Sequence, residues 1–265
     1  MIRMKDHGKF ALIAVGLVLA VLISTRVNAD RFDGQKLRYQ FSWKGMVVAE
    51  GKVSISTSSY KGISAYRIVF LITSQSILDK IWPVRDRFDI YTRPQSFRTL
   101  NYSFFQREGK YAMNTTVEYD SSSNSLLALR EKVSYEQPGG ELRLKKKPQV
   151  IPAGELLDPI SAIFFLRNCE MSPGKSYTIK VFDGRRIHLL QYTIGLKEEI
   201  ETQLGKLEAY KVTPKILSSS DDDKNSKVNK VYKVNIWVSA DATQDIVLIT
   251  SDMFWGKVQA ELVSR

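Results

Sequence analysis

Histidine and cysteine are almost missing from this chain, which has two of the first and one of the second in 265 residues. A lone Cys169 admits no internal disulfide. It adjoins an apolar run that starts at Ile163, so a small core residue is expected there rather than a reactive thiol. Beyond His7, the only histidine is His188, in a segment that reads as a strand. A Ser-His-Asp triad would have to use it, and no Gly-x-Ser-x-Gly elbow supplies the serine. A zinc site built from His and Cys lacks ligands, and no glycine loop suited to phosphates appears. Long apolar runs are missing too: after residue 23, no segment approaches the roughly 20 apolar residues of a membrane-spanning helix.

The start of the chain is different. Arg3, Lys5 and Lys9 precede Phe10 to Ile23, which is apolar and broken only by glycine. Val27-Asn28-Ala29 then offers modest side chains at the positions a signal peptidase inspects. This is the pattern of a secretory signal peptide, residues 1–29, cleaved after Ala29; a retained anchor is the alternative. The expected location is periplasmic. The remaining residues, 30–265, suit a single all-β envelope domain, or two similar halves, 30–150 and 170–265, joined by a helix.

Charge narrows the partners. Loss of residues 1–29 removes Arg3, Lys5, Lys9, Arg26 and Asp6, which lowers the formal net charge from +11 to +8. A basic exported protein suits lipid headgroups or another anionic envelope component, with peripheral membrane contact, and makes nucleic acid an unsuitable partner. Another envelope protein is the competing partner. Arg143, Lys145, Lys146 and Lys147 form the densest basic surface. In a strand, Arg143, Lys145 and Lys147 share one side, which fits either an anionic contact or an edge protected from aggregation.

Period-two alternation dominates after residue 35. Leu37, Tyr39, Phe41 and Trp43 alternate with Lys36, Arg38, Gln40 and Ser42, as in a half-buried strand. Gly45, Glu108-Gly109-Lys110, Ser121 to Ser125 and Asp183-Gly184 mark turns between similar segments. The fold class is therefore all-β, mainly antiparallel: a curved sheet, barrel or sandwich. One internal helix is expected near 158–168, where Asp158 suits the N-cap and Pro159 the first turn. The aromatics Tyr39, Phe41, Trp43, Phe104, Phe105, Phe164, Phe165, Phe254 and Trp255 either fill a core or line a greasy cavity. Asp221, Asp222 and Asp223 lack the alternating spacing of a calcium loop, so no metal and no cofactor is expected.

Five charged residues sit in apolar surroundings: Arg85, Asp86, Arg87, Asp158 and Arg167. Buried charges must be paired. The expectation is a bridge from Arg85 or Arg87 to Asp158 and another from Arg167 to Asp86. Such a charge cluster either locks the helix to the sheet or binds a ligand. Asp86 and Asp89 also permit a carboxylate-based polysaccharide hydrolase, although the flanking arginines favour an ion-pair role. No catalytic residue is assigned.

Several of these segments, in their order, resemble the bacterial exported family catalogued as domain of unknown function 3108. They are Leu37-Arg38-Tyr39 with Ser42-Trp43, Gly45 and Gly51; Val84-Arg85-Asp86-Arg87; Asp158 to Arg167; Glu198 to Thr202 with Gly205; Ala209 to Pro214; Ile236 to Ser239 with Asp241; and Gly256. The resemblance spans roughly 34–262. It implies a mostly β envelope protein, similar in fold to periplasmic carriers whose curved sheets hold lipid-like cargo, and it supplies no catalytic residues. The function expected is non-enzymatic: binding or carrying a lipid-like or amphiphilic ligand. An envelope scaffold that binds another protein is the alternative.

Overall fold

The alternating segments fold as strands in the computed structural model. It describes residues 31–265 apart from 138–139, 146, 221–232 and 254–255, with side chains at 76–77, 134–145 and 253 outside the description. The expected signal peptide at 1–29, Lys146, Asp221 to Asp223, Phe254 and Trp255 lie outside the described residues, as do the side chains of Arg143 and Lys145. The first half holds β1 Lys36–Trp43, β2 Met46–Tyr60, β3 Ile63–Ser74, β4 Arg85–Thr92, β5 Thr99–Glu108, β6 Tyr111–Asp120, β7 Ser125–Gln137, β8 Gly140–Lys145 and β9 Gln149–Pro152. The second holds β10 Leu156–Leu157, β11 Ser176–Phe182, β12 Ile187–Thr202, β13 Gly205–Ser219, β14 Lys233–Ser239, β15 Ile246–Met253 and β16 Gly256–Ser264. The helices are α1 Ser76–Ile81 and α2 Pro159–Leu166.

All strands belong to one sheet, in the order β10 to β16, then β1 to β8, with β9 beside β7. The first strand therefore lies in the middle of the sheet, paired antiparallel to the last. The chain walks outward to one edge, crosses through α2, and walks back from the other edge. Every pair is antiparallel except β10 with β11, the strands on either side of the crossover. The sheet is curved but is not closed into a barrel.

What curls it is the crossover helix. An eight-residue helix is marginal alone and depends on packing. α2 buries Ile160, Ala162, Phe164 and Leu166 in one core with Leu37, Val53, Ile68, Ile90 and Tyr102 from the first half and Ile179, Tyr192, Val212, Ile236 and Ile246 from the second. Burying each large apolar side chain contributes roughly 1.5–3 kcal/mol, so strands from both halves are drawn over the same helix. Tyr192 fastens it by donating its hydroxyl to the Ala162 carbonyl at 3.1 Å. On the far side of the core, Gly184 in the β11–β12 turn lies against the Thr115 methyl of β6 with no room for a Cβ, and its φ of +86° is one that glycine adopts freely.

The antiparallel walk gives the sheet two ends. At the helix end are the β2–β3, β4–β5, β6–β7 and β14–β15 turns. At the far end are the β1–β2 turn, α1 and the β5–β6 and β11–β12 turns. α1 has no counterpart among the sequence expectations. Gln75 stands at its N-cap without a capping side-chain bond, and its six residues are too few to show a helical period.

Candidate functional site

The helix end is built of satisfied polar groups. Asp158 caps α2, with Oδ1 accepting the N–H groups of Ile160 and Ser161 at 3.0 and 2.9 Å. Its Oδ2 accepts the hydroxyls of Thr99 and Ser161 at 2.9 and 2.5 Å, and its own N–H donates to Thr99 Oγ1. Burial raises its pKa above the usual carboxylate value. Among the described residues no arginine is bonded to it, so the expected bridge from Arg85 or Arg87 does not form. Both arginines lie on the outward face of β4, whereas Asp158 lies under the helix. Arg85 instead pairs with Asp79 of α1 at 2.6 Å, and Arg87 with Asp89 at 2.9 Å.

Arg167, at the end of α2, is fully buried and binds Asp245 at 2.5 Å, not Asp86. Nη2, which makes that bond, also reaches the Thr243 carbonyl at 3.3 Å, while Nη1 reaches the Gln35 side chain at 3.0 Å and Nε the Gln244 carbonyl at 3.2 Å. Its guanidinium also lies over the rings of Phe32 and Phe164. The second oxygen of Asp245 accepts from Thr243 Oγ1 and Arg265 Nε at 2.9 and 2.7 Å. A buried pair stands only when the remaining donors and acceptors are met, and here they are met. The five charges singled out in the sequence are thus scattered over three places, and the β14–β15 turn supplies the partner that sequence reasoning missed. Its one earlier trace is Asp241, on the same turn.

The far end is built differently. Asp86 points inward there and is 7% exposed. It accepts the Arg107 N–H at 2.7 Å, and among the described residues no cationic side chain is bonded to it. Burial, followed by the neighbouring Glu108 carboxylate, raises its pKa to about 6. Asp89, its suggested catalytic partner, faces outward, held by Arg67 at 2.7 Å and by Arg87. The two carboxylates lie on opposite faces of one strand and flank no common cleft, which removes the basis for a paired-carboxylate hydrolase.

Above Asp86 the inward face is aromatic. The Phe88 ring stacks on Phe104 at 4.1 Å and on Phe70 at 5.8 Å. The Phe41 and Phe70 rings close over Gly51, where any Cβ would meet both at 2.8 Å. Phe41, Phe70 and Phe104 are only half-buried. At the rim, Trp82 lies flat over Gly109 of the β5–β6 turn. Ile81 is 71% exposed, Met46 50% and Trp82 49%. Lys44, Lys80 and Lys110 are exposed beside them. Sequence reasoning picked Phe41 and Phe104 but missed Ile81 and Trp82, because their exposure follows from where α1 sits.

The remaining candidates are structural. Cys169 is buried, which pushes its thiol up to about 12. His188 sits between Ser219 Oγ at 2.8 Å, its partner in the β12–β13 register, and Asp183 Oδ2 of the β11–β12 turn at 3.2 Å. The other oxygen of Asp183 closes its turn on the N–H groups of Arg185 and Arg186. A depression of about 280 Å³ at the helix end has Arg93 and Arg98 in its wall. Arg98 is taken by Glu155 and the Gly154 carbonyl, and Arg93 lies over the Tyr119 ring.

Among solved structures, a β-barrel-like protein of domain of unknown function DUF1849 from Brucella abortus matches over 86% of this chain and 95% of its own, with TM-score 0.52 and 10% identity. At that identity the likeness concerns the fold alone. A protein with a YmcC-like fold from Bacteroides fragilis covers 87% of this chain and 94% of its own at 9% identity, but its TM-score of 0.32 carries no argument. No curated protein matches. The family described as protein of unknown function (DUF3108) matches residues 38–263, nearly the whole sheet and the crossover helix, and the chain belongs to that family.

Proposed function

We propose that this is an exported, periplasmic, non-enzymatic protein that binds an amphiphilic, lipid-like molecule at the helix-free end of its sheet. The observation that carries the reading is the exposed apolar rim of Ile81, Trp82 and Met46, which sits above half-buried phenylalanines and beside three lysines. Indole rings favour the boundary between apolar and wet surroundings, and lysines beside them favour an anionic headgroup. The rest of the inward face is filled by core side chains and α2, so the reading is of a ligand held at the mouth, not one enclosed in a deep cavity.

The test is native mass spectrometry of protein purified from producing cells, followed by titration with a fluorescent long-chain fatty acid. A retained amphiphile and saturable binding are expected. Ile81→Ser with Trp82→Ser should weaken the fatty acid at least about tenfold, the loss of about 1.4 kcal/mol. Leu196→Ser removes the most exposed large apolar side chain among the described residues, at 75%, from the β12 bulge, and should change nothing. No retained mass and no saturable binding would sink the proposal. Equal loss from all three substitutions would show non-specific adsorption.

A further inference from the structure

The outward face of β1 to β4 carries a different chemistry from the mouth. Cross-strand register sets Arg38, Lys52, Leu71, Arg87 and Phe105 side by side in one row, running into β5. Four strand spacings make that row about 19 Å long. Lys36, Arg67 and Arg85 lie on the same face. Six cations of these four strands thus stand against Glu50 and Asp89, with Asp79 of α1 reaching Arg85. Within the row, Leu71 lies between Lys52 and Arg87 and Phe105 follows Arg87, 36% and 37% exposed. Lys36, Arg38, Lys52 and Arg265 rim a shallow trough of about 290 Å³ whose wall includes Val69 and Leu71.

We infer that this face is a docking surface for an anionic lipid bilayer. The inference rests on the proposed lipid-like ligand and adds the surface from which that ligand is exchanged. The charge excess is complementary to anionic headgroups and draws each lysine or arginine toward them within a Debye length. The apolar pair distinguishes a bilayer from a soluble polyanion. Leu71 and Phe105 lie in the row of cations, so they enter the interface while the long basic side chains extend past them to the phosphates. A polymer would engage the charges alone.

Vesicle co-sedimentation tests this with the purified protein. Binding is expected to phosphatidylcholine vesicles containing phosphatidylglycerol, to fall with salt, and to be weak on pure phosphatidylcholine. Lys36→Glu, Arg38→Glu and Lys52→Glu together should weaken it about 100-fold. Lys36→Gln with Lys52→Gln should give a smaller loss, and Leu71→Ser with Phe105→Ser a loss of about tenfold at unchanged charge. Circular dichroism should be unchanged in each variant. The triple variant should still bind the fluorescent fatty acid in solution. Vesicle binding unaffected by the triple variant overturns the docking surface and leaves the mouth proposal standing. Insensitivity to Leu71→Ser with Phe105→Ser, with polyglutamate displacing the protein from vesicles, overturns the bilayer in favour of a polyanion. Charge-dependent vesicle binding without fatty-acid binding sinks the mouth proposal alone.

Discussion

The two ends of the curled sheet handle buried charge in opposite ways. At the helix end, Arg167 and Asp158 are fully buried, and each has partners for every group it turns inward. At the far end, Asp86 is buried beside a second carboxylate with no cationic side chain of the described residues bonded to it, and large apolar side chains stand in solvent. Burying a charge is expensive unless it is paired, and exposing apolar surface forgoes burial. The rule for charge is met at the helix end and relaxed at the far end, which is where the proposed ligand site lies. This contrast makes the stability of the two ends separately testable.

The largest effect is expected at the sealed end. Arg167→Met strands the Asp245 carboxylate in the core and should cost about 3–5 kcal/mol in urea unfolding. A loss below about 1 kcal/mol would mean that Arg265, which also binds Asp245, carries the pair, and the sealed-end description would fail.

Asp86→Asn tests the relaxed end and should act in the opposite direction. The folded-state pKa of Asp86, about 6, lies above its ordinary value of 3.8. Folded protein therefore holds the proton through the window between roughly pH 4 and 6, and wild-type stability falls as pH rises through it. Above that window the ionised group is a burden. Asn keeps an oxygen to accept the Arg107 N–H, so the variant should be more stable than wild type at pH 7, by on the order of 1–3 kcal/mol. The gain should vanish near pH 4. Thermal unfolding at several pH values checks this; a variant less stable at pH 7 would show that the carboxylate is neutralised after all.

Asp158 sharpens the comparison at smaller scale. Its bonds come from two N–H groups and two hydroxyls, so an amide oxygen replaces much of what it does, whereas alanine replaces none. Asp158→Ala should cost about 0.5–2 kcal/mol, and Asp158→Asn clearly less. Equal losses would point to a hidden charge partner. The smallest effect belongs to the rim: Ile81→Ser with Trp82→Ser should move stability by no more than about 0.5 kcal/mol, as exposed positions do, while weakening the fatty acid. A rim that unfolds the protein when altered is part of the core, and the contrast between the ends would collapse.

Much of the fold was legible. The alternation from Leu37 to Trp43 becomes β1, the Asp183-Gly184 turn joins β11 to β12, and Asp158-Pro159 opens α2 as its capping chemistry requires. The site was less so. The sequence marks Arg85, Asp86, Arg87, Asp158 and Arg167 as charges needing partners, yet pairs them wrongly. α1 leaves no readable trace, and with it the exposure of Ile81 and Trp82 is lost.

The sequence by itself determined what depends on near neighbours: strand periodicity, the sharp turns, the capped helix and the excess of positive charge. These follow from side-chain direction and backbone sterics within a few residues. Only the tertiary structure decided that the sheet curls without closing, that Arg167 meets Asp245 across 78 residues and that Asp158 meets Thr99 across 59. It also decided that β1 lies against β16, which gives the outward basic face its continuity with the C-terminal strand. The physical reason is that an ion pair selects geometry, not sequence distance. Which carboxylate reaches a buried arginine is settled by which turns α2 draws over itself when its apolar surface is buried from both sides.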